Sequence, residues 1–366
     1  MKVLNAFGMA VLLSALLLGG CSGGDRKVLD DLGVLLTAGY DRAGQNQLRL
    51  TCTLPMVSTG GKMSSQMLSV VARSGKDARK KLSYLSGRRT EAGQLKVILF
   101  SEEIARSSIK SIIHPLYRDP EIGSMMFVGV VKGKALEAIK ADVQKRRGVG
   151  MYLYDMLKQE EEARGTIMFR MHTVMRDMET PGRSVAVPYL AVQKQGIIID
   201  GLALFNDSKM SGKLPARLIP IFLILHGINY QDHLTLELDK KTRVTLSFIK
   251  VIRNREAQYN PKTKKVTVVI KGKTTAHALD YVGEEIHTKE QLRKLEKQIS
   301  ARLERDGERV IKIMQQAGSD ALGLGSYLRA KNIYPEFTTD WWRKEFPKIE
   351  VKIKMEVELN RLGMLR

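Results

Sequence analysis

From residue 349 to residue 360 apolar and polar side chains alternate without a break. Ile349, Val351, Ile353, Met355, Val357 and Leu359 stand against Glu350, Lys352, Lys354, Glu356, Glu358 and Asn360. Successive strand residues point to opposite faces, so this pattern predicts a strand with one buried and one solvated face. Shorter alternations lie upstream at Leu234, Leu236 and Leu238, at Val244, Leu246 and Phe248, and, after the turn at Asn260-Pro261, at Val266, Val268 and Ile270. They predict successive antiparallel strands, each with one wet face. Between that meander and the last strand, Leu292, Leu295, Ile299, Leu303, Val310 and Ile313 recur at three- and four-residue steps, the spacing of a long amphipathic helix in which Gly307 can introduce a bend.

The first half mixes the two periods more closely. Leu32 to Thr37 and Leu48 to Leu54 read as strands joined through a turn near Gly44. Ser64 to Ala72 and Asp77 to Leu85 have helical spacing, interrupted at Ser74-Gly75. Leu95 to Phe100 is a continuous apolar run of strand length, as a central strand requires. A helix from Glu102 to Ile113 is expected to stop before Pro115, and a strand follows at Met125 to Val131. Helical stretches at Lys134 to Ile139, Val149 to Glu162 and Thr166 to Met178 lead to the Pro181-Gly182 turn, then to strands at Ser184 to Val192 and Gly196 to Phe205. The class predicted is α+β, multi-domain, with mixed, mostly antiparallel sheets and packed helices. The boundary falls near residue 200, giving regions 21–200 and 201–366.

The extreme N-terminus follows neither pattern. Lys2 is its only charge, and an apolar run from Ala6 to Leu18 is broken only by Ser14. A membrane span needs roughly 20 consecutive apolar residues, so this stretch better suits a secretory signal. It ends Leu18-Gly19-Gly20-Cys21, a large aliphatic, two small residues and a thiol that can be alkylated by a diacylglyceryl group before cleavage. Residues 1–20 are therefore expected to be removed and Cys21 to carry the lipid, with an ordinary secreted chain or an uncleaved anchor as alternatives. Only Cys52 then remains, and its place in the alternation Leu48 to Leu54 makes it a buried, inert strand residue.

Charge narrows the partners. Lys plus Arg number 60 against 39 Asp plus Glu, a net charge of +21. The basic residues are spread along the chain beside acids, without zinc-finger spacing or an RNA-binding aromatic signature, so no nucleic-acid partner is expected. Anionic lipid or wall polymer suits a tethered basic protein better.

Catalytic and cofactor motifs are missing. Gly272-Lys273-Thr274 ends like a phosphate-binding loop but has Thr267 where the loop needs glycine. Gly323-Leu324-Gly325-Ser326 lacks the further glycines of a dinucleotide fingerprint or nucleophile elbow. His226 and His233 lack supporting carboxylates and read as structural. Adjacent carboxylates at Asp30-Asp31 and Glu284-Glu285 diverge too far for paired acid-base work, and Glu160-Glu161-Glu162 reads as a solvated helix end. Trp341-Trp342, followed by Phe346, reads as core packing before the last strand, with a recognition patch as the alternative. No enzyme, metal or cofactor is expected beyond the lipid on Cys21.

Several segments together resemble a known family. Asp25 to Gly33 lies just behind the lipid cysteine. Gly93-Gln94-Leu95-Lys96-Val97-Ile98-Leu99-Phe100-Ser101-Glu102-Glu103-Ile104-Ala105-Arg106 precedes Tyr117-Arg118-Asp119-Pro120-Glu121-Ile122. Gly201 to Leu214, Asp320 to Gly325 and the Trp342-to-Phe346 spacing follow in order. The set is similar to the GerAC-like lipoproteins, the C subunits of bacterial spore germinant receptors. Two positions depart: Ser22-Gly23-Gly24 stand where the family usually has tryptophan, and Gly123 where it often has arginine. The resemblance implies a non-enzymatic subunit lipid-anchored on the outer face of the spore inner membrane of a Gram-positive spore former. It would work with integral-membrane A and B subunits. Arg118, Asp119, Glu121, Trp341 and Trp342 are the residues put forward for partner contact. A solute-binding lipoprotein of a transporter is the alternative.

Overall fold

A computed structural model describes residues 32–57, 63–141, 148–164, 169–263 and 265–362. The leader, Cys21 and the Asp25 to Asp31 part of the family resemblance lie outside the described residues.

The run at Leu95 to Phe100 becomes β6 (Val97–Ser101), every residue of which is buried. It pairs in parallel with β2 (Thr37–Gly44) on one side and β7 (Phe127–Val131) on the other, and β7 pairs in parallel with β8 (Ala186–Gln193). Antiparallel strands extend this parallel centre outward. β3 (Gln47–Val57) and β4 (Met63–Ala72) follow β2, while β9 (Gly196–Asn206) and β10 (Lys209–Pro215) follow β8. The eight strands run β10-β9-β8-β7-β6-β2-β3-β4, and a separate parallel pair joins β1 (Leu32–Val34) to β5 (Arg89–Glu91). The boundary expected near residue 200 falls inside β9, and the sheet continues to Pro215.

A strand buried on both faces needs helices on both sides. On one face α4 (Ala135–Lys140) and α5 (Gly148–Arg164) pack against Val97, Leu99 and Phe127. On the other, α1 (Gly75–Ser86), α2 (Glu102–Ser107), α3 (Lys110–Tyr117) and α6 (Met171–Glu179) pack against Ile98, Phe100 and Val128. A buried carboxylate ties one of these helices to the sheet: Asp41 accepts hydrogen bonds from the Ala135 and Leu136 N–H groups at 2.7 and 2.9 Å. It caps α4, whose own N-cap, Lys134, supplies no side-chain acceptor.

The second half builds a four-stranded sheet in the order β11 (Leu234–Glu237), β12 (Arg243–Asn260), β13 (Lys265–Val282), β14 (Glu350–Leu362). The predicted amphipathic helix is α8 (Lys289–Gln316), opened by a capping box in which Thr288 and Gln291 satisfy each other's backbone N–H groups. α8 lies along β14 and buries Leu295, Ile299, Leu303 and Val310 in the shared core. It does not break at Gly307. A Cβ there would lie 2.7 Å from Ile353 Cδ1, so the glycine serves close approach of strand and helix. Two short helices, α9 (Leu324–Ala330) and α10 (Thr339–Glu345), complete this half, with α7 (Ile219–His226) entering its core.

β14 is an edge strand, yet its outward amides are occupied. The N–H groups of Met355, Val357 and Leu359 donate to Glu304 Oε1, Ser300 Oγ and Glu296 Oε1 at 2.8, 3.1 and 2.9 Å. Four helical residues rise about 6 Å and two strand residues about 6.6 Å, so the two ladders stay in step over three rungs.

Two local expectations change. Ser64 to Ala72 is strand β4, because pairing with β3 along its whole length overrides apolar spacing that fits a helix equally well. The helix expected over Glu102 to Ile113 is two, α2 and α3, separated at Ser108, and Pro115 lies inside the second. β10 and α7 escape the sequence reading. Residues 219–225 of α7 are all buried, so no polar stripe marks its period.

Candidate functional site

Two places in the molecule gather the residues singled out from sequence. The first is a cavity of about 370 Å³ in the first half. Its floor is the face of β2 and β3 carrying Ala38, Tyr40, Leu48, Leu50 and Cys52, and its walls include Leu95, Ile112, Leu116 and Ile122. The rim is polar: Arg73, Ser74 and Lys76 at the start of α1, Arg79 one turn on, Ser111 of α3, and Asp119. Arg79 donates to Asp119 Oδ2 at 2.5 Å and reaches Glu121 Oε2 at 3.6 Å, so two of the sequence candidates share one guanidinium. Partial burial pulls the Asp119 carboxyl upward. Hydrogen bonds from Arg79 and the Glu121 N–H, with the charges of Arg79 and Lys76, outweigh it and hold the group below its ordinary value. Arg118, the C-cap of α3, is exposed beside this clamp.

The cavity floor carries two titratable groups. Burial pushes the Cys52 thiol up to about 12, which keeps it a neutral, inert thiol as its strand position predicts. Tyr40, 3 % exposed, stacks on Phe100 at 5.8 Å between ring centroids. Its hydroxyl forms no hydrogen bond among the described residues, and burial raises its pKa further than the nearby Arg79 charge lowers it.

The second place is the seam between the halves. Asp320, buried, accepts from the N–H groups of Leu324 and Gly325 at 3.0 and 2.7 Å and from Trp342 Nε1 at 3.0 Å. Ser184, just before β8, bonds back twice: its N–H donates to the Asp320 carbonyl and its Oγ accepts from the Asp320 N–H, both at 3.0 Å. Arg255 donates to the carbonyls of Leu322 and Gly323 at 3.0 and 3.2 Å. Space is tight here. A Cβ on Gly325 would sit 2.3 Å from Trp342 Nε1, and one on Gly182 would sit 2.5 Å from the Gly325 carbonyl carbon. Trp342 is thus core, which corrects its place among the partner contacts: its only polar atom is spent on Asp320. Trp341 is half-buried and stacks on Tyr334 at 3.9 Å with an interplanar angle of 5°.

Glu161 is also corrected. It is not solvated but pairs with Arg170 with both side chains largely buried, and the Arg170 guanidinium lies 3.7 Å from the centroid of the Phe127 ring. The sequence named Asp119 and Glu121 but missed Arg79, Arg73 and Tyr40, which arrive from separate elements and form no local motif. Among the described residues, no group of three or more His, Cys, Asp and Glu side chains could hold a metal ion.

Comparison with known proteins bears on both places. The profile of the spore germination protein N-terminal domain matches residues 25–192, and that of the B3/GerAC-like C-terminal domain matches residues 200–363. The chain belongs to the GerAC-like spore germination proteins. It is 22 % identical to the spore germination protein GerQC of Bacillus cereus over 97 % of this chain and 98 % of that one. Its fold is similar to the crystal structure of GerBC, with a TM-score of 0.56 at 17 % identity, covering 88 % of this chain and 96 % of the other. Two of the segments that carried the resemblance reach the two places described, and a third lies in the sheet between their elements. Val97 to Ser101 forms the central strand, Asp119 and Ile122 line the cavity, and Asp320 to Gly325 meets Trp342 at the seam.

Proposed function

We propose that this GerAC-like protein is a non-enzymatic, lipid-anchored subunit of a spore germinant receptor, needed for nutrient-triggered germination. The observation that carries the reading is the succession of both family domains over residues 25–363, directly behind the cysteine at position 21. Cys21 would carry the diacylglyceryl group and hold the chain on the outer face of the spore inner membrane. More than one acyl chain makes such anchoring stable where one is marginal. No helix among the described residues is long and apolar enough to cross a membrane, so contact with integral-membrane A and B subunits would use this folded surface. The exposed side chains of Arg118 and Glu121 suit such contact, and the half-buried Trp341 offers a ring edge. Tethering raises the partners' effective concentration without adding to the contact itself.

The test is a Cys21→Ala strain of the spore former. The expected result is loss of the protein from the membrane fraction and loss of nutrient-triggered germination, with germination by a receptor-independent stimulus intact. Normal membrane retention and normal nutrient response would overturn the reading. The transporter alternative calls for two similar lobes around a ligand cleft, whereas an eight-stranded and a four-stranded sheet make the two halves here.

A further inference from the structure

The cavity on β2 and β3 does not stand alone. A second compartment of about 380 Å³ adjoins it, sharing Leu48, Arg73, Ser111 and Ile112 and adding Arg42, Asn46 and Gln47. The first compartment is lined mainly by apolar side chains, the second mainly by polar ones, and Arg73 borders both. An apolar chamber opening past a cation into a polar chamber matches a ligand with a greasy tail and a negative head. Three further observations agree. The carboxylates nearest the rim are engaged: Asp119 by Arg79, Asp77 by Lys81 and the Arg73 N–H, and Glu103 lies 3.9 Å from Arg42. The rim nevertheless presents Arg73 and Lys76 at the start of the twelve-residue helix α1, where the helix dipole favours an anion. A Cβ built on Gly75 meets nothing within 4 Å, so the approach to that helix start is open.

The floor supplies the second half of the argument. Tyr40 lines the apolar compartment, and its hydroxyl forms no hydrogen bond among the described residues and is not fully enclosed. A ligand entering past Arg73 would offer it a partner. At about 30 Å³ per water-sized group, the compartment accepts roughly a dozen heavy atoms.

We propose that these two compartments form a binding site for an amphiphile with an anionic head and a medium-length alkyl chain, the chain lying on Ala38, Leu50 and Tyr40 and the head against Arg73 and Arg42. The chemistry is shared by a free fatty acid and by one chain of an anionic membrane lipid. The site stands on the cavity and is independent of the receptor assignment.

The full-length protein, held in bilayer discs of neutral lipid, is titrated with decanoate, decyl phosphate and decanol while ligand binding is followed by calorimetry and by thermal unfolding. Saturable binding of both anions is expected, with decanol weaker by roughly tenfold or more, the worth of one charge-assisted hydrogen bond. Arg73→Glu, on the exposed rim, should weaken the anions by a similar factor and leave decanol unchanged. Ala38→Phe should fill the chamber and abolish all three. Competition by vesicles of anionic lipid identifies a membrane lipid as the source, and indifference to them identifies the free acid. The proposal fails if the anions do not bind saturably, if decanol binds as tightly, or if Arg73→Glu leaves anion affinity unchanged, the last arm remaining decisive even should Ala38→Phe not fold.

Discussion

The rim of the β2–β3 cavity and the Asp320 seam use similar residues to opposite ends. At the seam, buried Asp320 has three donors on its carboxylate, and its neighbours approach so closely that Gly325 and Gly182 have no room for a Cβ. At the cavity, the partly buried Asp119 is clamped by Arg79 on the rim, while the interior beneath it keeps an unbonded phenol and about 370 Å³ of space. One region is a joint and the other a vessel. Partnered carboxylates therefore do not by themselves mark a binding site. Packing density around them separates the two roles.

Adding small apolar bulk to each region gives the largest expected contrast. Gly325→Ala forces a Cβ into the Trp342 ring, which Asp320 holds in place, and is expected to cost about 3 kcal/mol. Ala38→Val adds two carbons, more bulk than Gly325→Ala, but against the cavity, and is expected to cost about 1 kcal/mol or less. Urea unfolding of both variants checks the pair, and equal losses would erase the distinction between joint and vessel.

Acid separates the regions less sharply. Burial, then the charges of Arg253, Arg255 and Arg183, lower the His226 pKa from 6.5 to about 3. A histidine depressed in the folded state takes up its proton more readily when unfolded, so its contribution to stability is whole above pH 6.5 and is lost as pH falls toward 3. The slope for one such group is at most about 1.4 kcal/mol per pH unit. His226→Gln should flatten the unfolding temperature across that window, and an unchanged slope would place the acid-sensitive group elsewhere.

Asp119→Asn is expected to have the smallest effect, about 1 kcal/mol or less, because its ion pair with Arg79 sits partly solvated on the cavity rim and Arg79 keeps Glu121 beside it. The carboxyl is held below its ordinary value, so its stabilising contribution is present at neutral pH and lost only as pH falls through that lowered value. The variant should match the parent at acid pH and fall slightly below it at neutral pH. A loss near that of Gly325→Ala would make the clamp a joint as well.

Legibility from sequence divides along different lines. β14, β13 and α8 are plain because each has one wet and one dry face, and the period of polarity names the element. β6 is plain as an unbroken apolar run. α7 is equally apolar but is a helix, and nothing in Ile219 to Leu225 distinguishes a buried helix from a buried strand. β4 shows the converse: Met67, Leu68, Val70 and Val71 fit a helical stripe until β3 claims their backbone. At the sites, Asp119 and Trp342 stood out through resemblance, but Arg79 lies 40 residues from Asp119 and Asp320 lies 22 from Trp342. No local pattern encodes such meetings.

The side chains of Glu296, Ser300 and Glu304 work on β14 like the teeth of a zip with a fixed pitch. Changing the exposed residues between the teeth leaves the zip closed. Gaining or losing one residue turns every later tooth by about 100°, and the rim of the sheet then lies bare to any extended chain that drifts by. Composition along the solvent face of α8 is thus free to wander, while its length is locked by the strand beside it.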